Sequence, residues 1–149
     1  MKTTIEVVGL KDLERKLKAM GGAASDALEV AVQAGGLIVQ NDAKKRAPYL
    51  TGTLRRSIHM ETIEKTRDKV VVSVGTNVIY AAIQEFGGII KAKKAPFLVF
   101  RSKSGRLVRT KSVYIPPRPY LRPAKEENMT KILHEIRDVL REVILGAVK

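Results

Sequence analysis

The apolar residues near the C-terminus recur with the rhythm of an α-helix, and this pattern constrains the fold more than any other. They are spaced alternately three and four residues apart, at Met129, Ile132, Leu133, Ile136, Val139, Leu140, Val143, Ile144 and Ala147. Such spacing gives a helix one continuous apolar face. Because a face of this length has to be buried, the pattern predicts a long C-terminal amphipathic helix that packs on a core built from the rest of the chain.

The length and composition are those of one soluble domain. With 149 residues the chain can bury a core of its own, and we expect a single domain over residues 1–149. The sequence contains no cysteine, which excludes disulfides, thiolate metal sites and a thiol nucleophile. The first residues lack the apolar segment of a secretory signal, and charges interrupt every apolar run before it reaches membrane-spanning length. We therefore expect a cytoplasmic origin and no membrane partner.

Three elements are predicted before residue 47. Residues 5–8 form a short strand, and apolar residues at helical spacing predict a helix over 10–20. A second helix should begin after Ser25, whose hydroxyl is a favourable N-cap, and should run to about Arg46, since Pro48 prevents its continuation. Its inner stripe consists of small residues, so another backbone can approach this helix closely.

An antiparallel strand pair is predicted in the middle of the chain. Residues 47–56 are interpreted as an irregular loop, because Pro48 and Gly52 fall within five residues of each other. Alternating residues over 58–62 and the β-branched run 70–74 then predict two strands that are joined by a turn.

A short helix, a hairpin and a proline-rich connection should follow. The helix covers residues 79–86 and ends at the glycine pair 87–88. We expect its buried side to be formed by Ile79, Ala82, Ile83 and Phe86. Strands over 97–101 and 107–115 are then joined by a turn that ends at Gly105. Four prolines should hold the next segment extended, namely Pro116, Pro117, Pro119 and Pro123. Residues 116–119 also match the PxxP motif that aromatic-lined grooves bind, but we favour the interpretation as a stiff connection.

Positive charge is concentrated around the predicted hairpin. Residues 86–125 contain eleven Lys or Arg and no Asp or Glu, whereas the rest of the chain is nearly balanced. A charge confined to one region is typical of a surface that faces a polyanion or an acidic partner. The candidate patch consists of Arg101, Lys103, Arg106, Arg109, Lys111, Arg118 and Arg122. The pattern as a whole predicts an α+β fold, with a small antiparallel sheet on two or three helices, an extended basic β-hairpin and the long C-terminal helix.

No arrangement for catalysis or cofactor binding is recognisable. His59 and His134 are far apart in the sequence, and neither lies in a metal-binding histidine motif. The sequence therefore predicts no catalytic residue, no metal and no cofactor. A sequence-neutral binder of double-stranded DNA is one alternative, and a small nuclease that uses the two histidines is a weaker one. Specific DNA recognition is not expected, because the basic segment has no recognition-helix pattern and no aromatic residues spaced for base stacking.

Three segments, taken together, resemble a known family. They are residues 47–58 (Ala-Pro-Tyr-Leu-Thr-Gly-Thr-Leu-Arg-Arg-Ser-Ile), 80–88 (Tyr-Ala-Ala-Ile-Gln-Glu-Phe-Gly-Gly) and 117–124 (Pro-Arg-Pro-Tyr-Leu-Arg-Pro-Ala). In this order and spacing they are similar to the gene-product-ten-like tail-completion and head-to-tail joining proteins of long-tailed double-stranded-DNA bacteriophages. The resemblance covers nearly the whole chain.

The resemblance implies a structural virion protein, not an enzyme, that forms an oligomeric ring around the DNA channel at the head-proximal end of the tail. Its partners would be copies of itself, the neighbouring head-connector and tail-tube or tail-terminator proteins, and genomic DNA through non-specific contacts. It would be found in the virion after assembly in the cytoplasm of the bacterial host. The basic patch would line the channel or dock on an acidic neighbouring ring. The motif residues would be architectural: Pro48, Gly52, Tyr80, Glu85, Phe86, Gly87, Pro119, Tyr120, Leu121 and Pro123.

Overall fold

The computed structural model describes residues 1–6, 22–66, 69–102 and 104–146. Its helices, in chain order, are α1 (Gly22–Arg46), α2 (Thr53–Ser57), α3 (Ala81–Phe86), α4 (Leu121–Glu126) and α5 (Met129–Gly146). Its strands are β1 (Lys2–Glu6), β2 (His59–Lys65), β3 (Val70–Gly75), β4 (Gly88–Lys91), β5 (Leu98–Arg101), β6 (Leu107–Thr110) and β7 (Ser112–Ile115). The predicted α+β class is confirmed.

A three-stranded antiparallel sheet and the helices α1 and α5 form the body of the protein. The strand order is β1-β3-β2, so β3 is the central strand. Every residue of β3 is buried, which follows from its run of β-branched side chains between two strands and beneath α1. The predicted pairing of β2 with β3 is confirmed.

Helix α1 lies between the sheet and α5, and two adjacent glycines allow this close packing. A Cβ atom added at Gly35 would lie 2.9 Å from Cγ2 of Ile132 on α5. A Cβ atom added at Gly36 would lie 2.9 Å from Cγ1 of Val72 on β3. The predicted stripe of small residues is therefore confirmed at Gly35, which faces α5. Gly36, which was not part of the predicted stripe, allows the close approach to the sheet.

Helix α5 buries a narrower stripe than its sequence pattern predicts. Ile132, Ile136 and Leu140 are buried against α1, whereas Met129 and Leu133 are exposed. The prediction that all the apolar positions form one buried face is therefore wrong at these two residues. Among the described elements, α1 makes the most extensive contact with this helix, and a single helix covers only a limited arc of its surface.

Several predicted boundaries differ from the structure. The first strand begins at Lys2 instead of residue 5, and the predicted helix over 10–20 lies outside the described residues. Helix α1 begins at Gly22, so Ser25 lies inside it and is not its N-cap. The Ser25 hydroxyl instead donates a hydrogen bond of 3.1 Å to the carbonyl oxygen of Thr66. Residues 53–56, predicted to belong to a loop, form most of α2, which begins directly after Gly52, whose φ is 78°.

The predicted buried side of the short helix is wrong. Helix α3 begins at Ala81, two residues later than predicted, and Ile79 is fully exposed. Ala82 and Phe86 are exposed too, and only Ile83 of the predicted set is partly buried. The buried residues are Ala81 and Glu85. This orientation follows from hydrogen bonds that the Glu85 carboxylate makes inside the protein.

Proline 123 does not belong to the extended connection in which it was predicted. Residues 116–119 are extended, but Pro123 is the third residue of α4. A proline is tolerated in the first turn of a helix, because the N–H group that it lacks would have no intrahelical acceptor there.

Replacing Gly35 by a branched residue tests the close packing of α1 on α5. We expect Gly35→Val to lower the free energy of unfolding by about 1–3 kcal/mol, because its side chain would overlap Ile132 and Ile136. Urea denaturation followed by circular dichroism measures the change. Gly146→Ala is the control, since a Cβ atom there meets nothing within 4 Å. An unchanged unfolding free energy for Gly35→Val would contradict the described packing.

The buried Tyr120 hydroxyl gives a second prediction. Among the described residues this hydroxyl has no hydrogen-bond partner, and burial, then the charges of Glu85 and Tyr80, raise the pKa of Tyr120 to about 12. In the unfolded chain the same group ionises near pH 10, so its contribution to stability is complete below pH 10 and is lost as the pH rises through 12. Tyr120→Phe should change the free energy of unfolding little at pH 7. As the pH rises above 10, the parent protein should lose up to about 2–3 kcal/mol more of its free energy of unfolding than this variant loses. Denaturation at pH 7 and at pH 11.5 measures this difference. An equal fall in the free energy of unfolding of both proteins would refute the raised pKa of Tyr120.

Candidate functional site

A two-stranded β-ribbon projects from the body between α3 and α4. Strand β4 pairs with β7, and further out β5 pairs with β6. We call residues 88–115 the arm. The predicted hairpin and its turn at Gly105, whose φ is 79°, are confirmed for β5 and β6.

The second predicted hairpin strand is divided. Residues 107–115 form two strands that are interrupted at Lys111, and the later one pairs with β4, which the sequence did not predict. The interruption has a local cause. Residues 92–97, which connect β4 to β5, have only Lys111 opposite them, and the Lys111 carbonyl oxygen accepts a bond of 3.0 Å from the Ala92 N–H. Extra residues on one side of a ladder interrupt the pairing and bend the ribbon.

The arm exposes apolar side chains together with its basic ones. All of its described Lys and Arg residues are exposed, and so are Ile89, Ile90, Val99, Phe100, Leu107 and Tyr114. On the more exposed side of the outer ladder, Val99 lies opposite Arg109 and Leu107 lies opposite Arg101. The Arg109 guanidinium also stacks on the Phe97 ring, 4.5 Å from its centroid. Adjacent apolar and cationic groups of this kind suit a protein partner better than a bare phosphate backbone.

The positive charge of the arm is not compensated within the described chain. In the ranges that the structure describes, no carboxylate lies within 4.0 Å of an arm Lys or Arg nitrogen. The arm itself contains no Asp or Glu. Its full charge is therefore available to an approaching partner.

The structure brings most of the predicted basic patch together. Arg101, Arg106, Arg109 and Lys111 lie on the arm, while Lys103 lies outside the described residues. Arg118 and Arg122 are exposed beyond the root of the arm and are not part of the ribbon. Sequence reasoning left out Lys91, Lys93 and Lys94, which lie on the opposing chain of the same ribbon. Of these three, Lys91 lies in β4, and the two β-branched residues after the glycine pair 87–88 were the signal that could have assigned it to a strand.

A buried carboxylate holds the root of the arm. Glu85, which is 3% exposed, accepts three backbone hydrogen bonds at the start of α4. Its Oε2 accepts from the N–H groups of Tyr120 at 2.7 Å and Leu121 at 3.0 Å, and its Oε1 accepts from Arg122 at 2.8 Å. The first N–H groups of a helix have no intrahelical acceptor and carry a partial positive charge. The Glu85 carboxylate accepts hydrogen bonds from these N–H groups and places its negative charge beside their partial positive charge. We call this set of three hydrogen bonds the Glu85 clasp.

Two further contacts close the root beside the clasp. The Arg118 N–H donates to the Gln84 carbonyl oxygen at 2.7 Å. Gly87 has a φ of 68°, and a Cβ atom there would lie 2.7 Å from the nitrogen of Pro117 and 2.8 Å from the carbonyl oxygen of Ile115. Only glycine fits this crossing without strain. The chain therefore enters the arm at Gly88 and leaves it at Ile115 through a fixed base.

The remaining motif residues line the body near this root. Tyr120 and Leu121 are buried in the core, whereas Tyr80, Phe86 and Pro119 are exposed.

The motif residues Pro48 and Gly52 shape the connection from α1 to α2. Pro48 is half-buried, and the Gly52 carbonyl oxygen accepts a bond of 3.0 Å from the Arg56 N–H. Beside this connection and before α3, Leu50 and Ile79 present almost their whole side chains to solvent, at 91% and 100% exposure. The hydrogen bond and the glycine therefore define the local shape of this connection, which is consistent with an architectural role for Pro48 and Gly52 in the fold of this segment.

The two histidines do not form a catalytic arrangement with the groups they contact. Nδ1 of His59 lies 2.8 Å from the Ser57 carbonyl oxygen, and Nδ1 of His134 lies 2.6 Å from an Arg137 nitrogen. Among the described residues, no group of three or more His, Cys, Asp or Glu side chains could hold a metal ion. The described helices also include none that is long and apolar enough to cross a membrane.

Comparison with known proteins identifies a family over the first part of the chain. A family model described as bacteriophage HK97-gp10, "putative tail-component", matches residues 11–87, just over half of the sequence. The match includes the motif at 47–58 and nearly all of the motif at 80–88, and it ends where the arm begins. No curated protein and no solved structure matches the chain significantly.

The Glu85 clasp gives a prediction about stability. Glu85→Ala would leave three N–H groups without their acceptor, so we expect the free energy of unfolding to fall by about 2–4 kcal/mol. Glu85→Gln should be milder, because one amide oxygen can still accept from two of the three donors. Urea denaturation measures the stability, and hydrogen exchange measures the protection of the amides of residues 120–122. Glu126→Ala, an exposed change nearby, should stay within about 0.5 kcal/mol of the parent protein. Equal stability of the parent and Glu85→Ala would contradict the clasp.

Proposed function

The chain belongs to the HK97-gp10-like family of bacteriophage tail components, and from this premise we propose that it is a non-enzymatic structural protein of the virion. In this proposal the 149 residues act as one domain that completes the tail or joins it to the head. Copies of the chain form a ring around the DNA channel at the head-proximal end of the tail. The observation that carries the proposal is the exposed, acid-free arm, held at its root by the Glu85 clasp.

The structure of the arm supports a role in contact with other proteins. A two-stranded ribbon that lies outside the core contributes little to the stability of its own body. Its exposed apolar residues, among them Ile89, Val99 and Tyr114, would be a solubility cost without a partner. The fixed root supports this view, because a rigid base holds the arm in one direction before assembly.

A ring would multiply the charge of each arm. Rotational symmetry repeats one surface of the subunit around an axis, and the DNA passes along that axis. Uncompensated Lys and Arg side chains on every copy would then form a cationic collar. The patch residues Arg101, Arg106, Arg109 and Lys111, with Lys103, would face the channel or an acidic neighbouring ring. The partners in this proposal are the head-connector and the tail-tube or tail-terminator proteins.

Sequence-neutral binding of duplex DNA is a second candidate function, favoured by the absence of described carboxylates near the arm cations. A free DNA-binding protein should bind DNA as an isolated subunit, and the logarithm of its affinity should fall linearly with the logarithm of the salt concentration. A ring subunit instead needs assembly before its modest charge per copy becomes effective. Titration of duplex DNA into the isolated protein at several salt concentrations separates the two functions.

Charge reversal on the arm tests the proposed joining function. We expect the double substitution Arg101→Glu and Arg109→Glu to leave the fold intact, since both side chains are exposed, but to abolish joining of heads to tails. The variant is supplied to a phage that lacks the gene, and infectious particles and unjoined heads and tails are counted. Lys45→Glu with Arg56→Glu is the matched control, because it makes the same charge change at two exposed positions outside the arm and outside α5. Normal yields of particles from the arm variant would overturn the proposed role of the arm.

A further inference from the structure

We infer that the arm of one copy docks on an acidic flank of helix α5 of a second copy, a head-to-tail interface that rests on the proposed ring function. The flank consists of Glu135, Asp138 and Glu142, with Leu145 beside them.

Most acids of the described body already have partners in the same chain. Each of these carboxylates lies within 4.0 Å of a Lys or Arg nitrogen, in the pairs Lys2–Glu61, Arg46–Asp42, Arg46–Glu127, Lys65–Asp26, Lys65–Glu29 and Lys69–Glu64. The Glu85 carboxylate accepts hydrogen bonds from three backbone N–H groups. Glu126, Glu135 and Glu142 differ, because none of them forms an ion pair with a described residue, and the last two lie on α5. Asp138 has only its exposed sequence neighbour Arg137, at 3.6 Å, and such a contact contributes little.

Glu135, Asp138 and Glu142 share one flank of α5. Positions 135, 138 and 142 are three and four residues apart, a spacing that places side chains on the same side of a helix. All three are exposed, and Leu145, three residues after Glu142, is exposed as well. The flank therefore presents three carboxylates next to an aliphatic side chain, together with Lys131, which is exposed on the same side of the helix four residues before Glu135.

The exposed side of the outer arm is chemically complementary to this flank. It presents Arg101 and Arg109 next to Val99 and Leu107. The two arginines are two residue steps apart along the ladder and lie on adjacent strands, which places their Cα atoms about 8 Å apart. Residues 135 and 142 are seven positions apart on the helix, or about 10 Å. Long arginine side chains easily bridge this difference, so one arm can reach both unpaired carboxylates.

One copy carries both halves of this contact and does not join them itself. In the described chain no arm cation pairs with a carboxylate of α5. Two different surfaces of one subunit that complement each other produce a heterologous contact, and repetition of that contact closes into a ring or continues as a filament. The occupant of the flank is therefore the arm of the next copy, which gives the proposed ring a specific subunit interface. Arg101 and Arg109 serve this interface, and the other arm cations are left to face the channel or the neighbouring ring.

Disulfide trapping tests this interface directly, because the natural sequence contains no cysteine. We combine Leu107→Cys on the arm with Leu145→Cys on α5, both at exposed positions, and oxidise the purified protein. A non-reducing gel should show a ladder of covalent oligomers, whereas each single substitution should give at most dimers. Leu107→Cys with Lys45→Cys, an exposed position on α1, is the matched control and should give no ladder. No ladder from the first pair, or an equal ladder from the control pair, overturns the interface.

Charge exchange distinguishes this interface from other occupants. Within the double-cysteine protein, Arg101→Glu with Arg109→Glu should abolish the ladder, and so should Glu135→Lys with Glu142→Lys. All four charge changes together should restore it. If the four changes do not restore the ladder, or if duplex DNA instead of a second copy protects the arm thiol from alkylation, the inference fails. The proposed function is tested separately, by the joining of heads to tails. If the protein forms rings but gives no such cross-link, only this interface is rejected and the proposed function stands.

Discussion

The Glu85 carboxylate is the interaction on which the functional part of this structure depends. A buried acid needs hydrogen-bond partners, and the start of α4 supplies three N–H groups that themselves need an acceptor. The bonds tie α3 to α4 across more than thirty residues of sequence. Because the arm lies between these two helices, the same bonds determine where the arm leaves the body and where it returns.

The clasp separates a stable body from a surface made for contact. In the body, a central β-branched strand and two close-packed helices bury the aliphatic residues, and most carboxylates pair with neighbouring cations. The arm has the opposite character, since its apolar and basic side chains are exposed and its charges have no described counterpart. Membership in a family of phage tail components is consistent with this division, because a protein of the tail contacts other virion proteins.

The sequence predicted those parts of the fold in which periodicity and local chemistry agree. The strands β2 and β3, the helix α5 and the turn at Gly105 follow from such patterns. The buried side of α3 could not be predicted from the hydrophobicity of its side chains, which favours burial of Ile79 and Phe86. The helix instead buries Glu85, because backbone N–H groups distant in the sequence donate hydrogen bonds to its carboxylate. The pairing of β4 with β7 was missed for a related reason, since a long-range ladder has no local signature beyond a short alternation. The basic patch was visible in composition, but its mixture with exposed apolar residues required the register of the strands.

A cryo-electron microscopy reconstruction of tails that contain this protein tests the central claim most directly. We expect a ring of this chain at the head-proximal end, in which each arm extends from its own body and is covered by another protein chain. An arm that folds back on its own body, or particles in which the protein is absent, would contradict the proposed function.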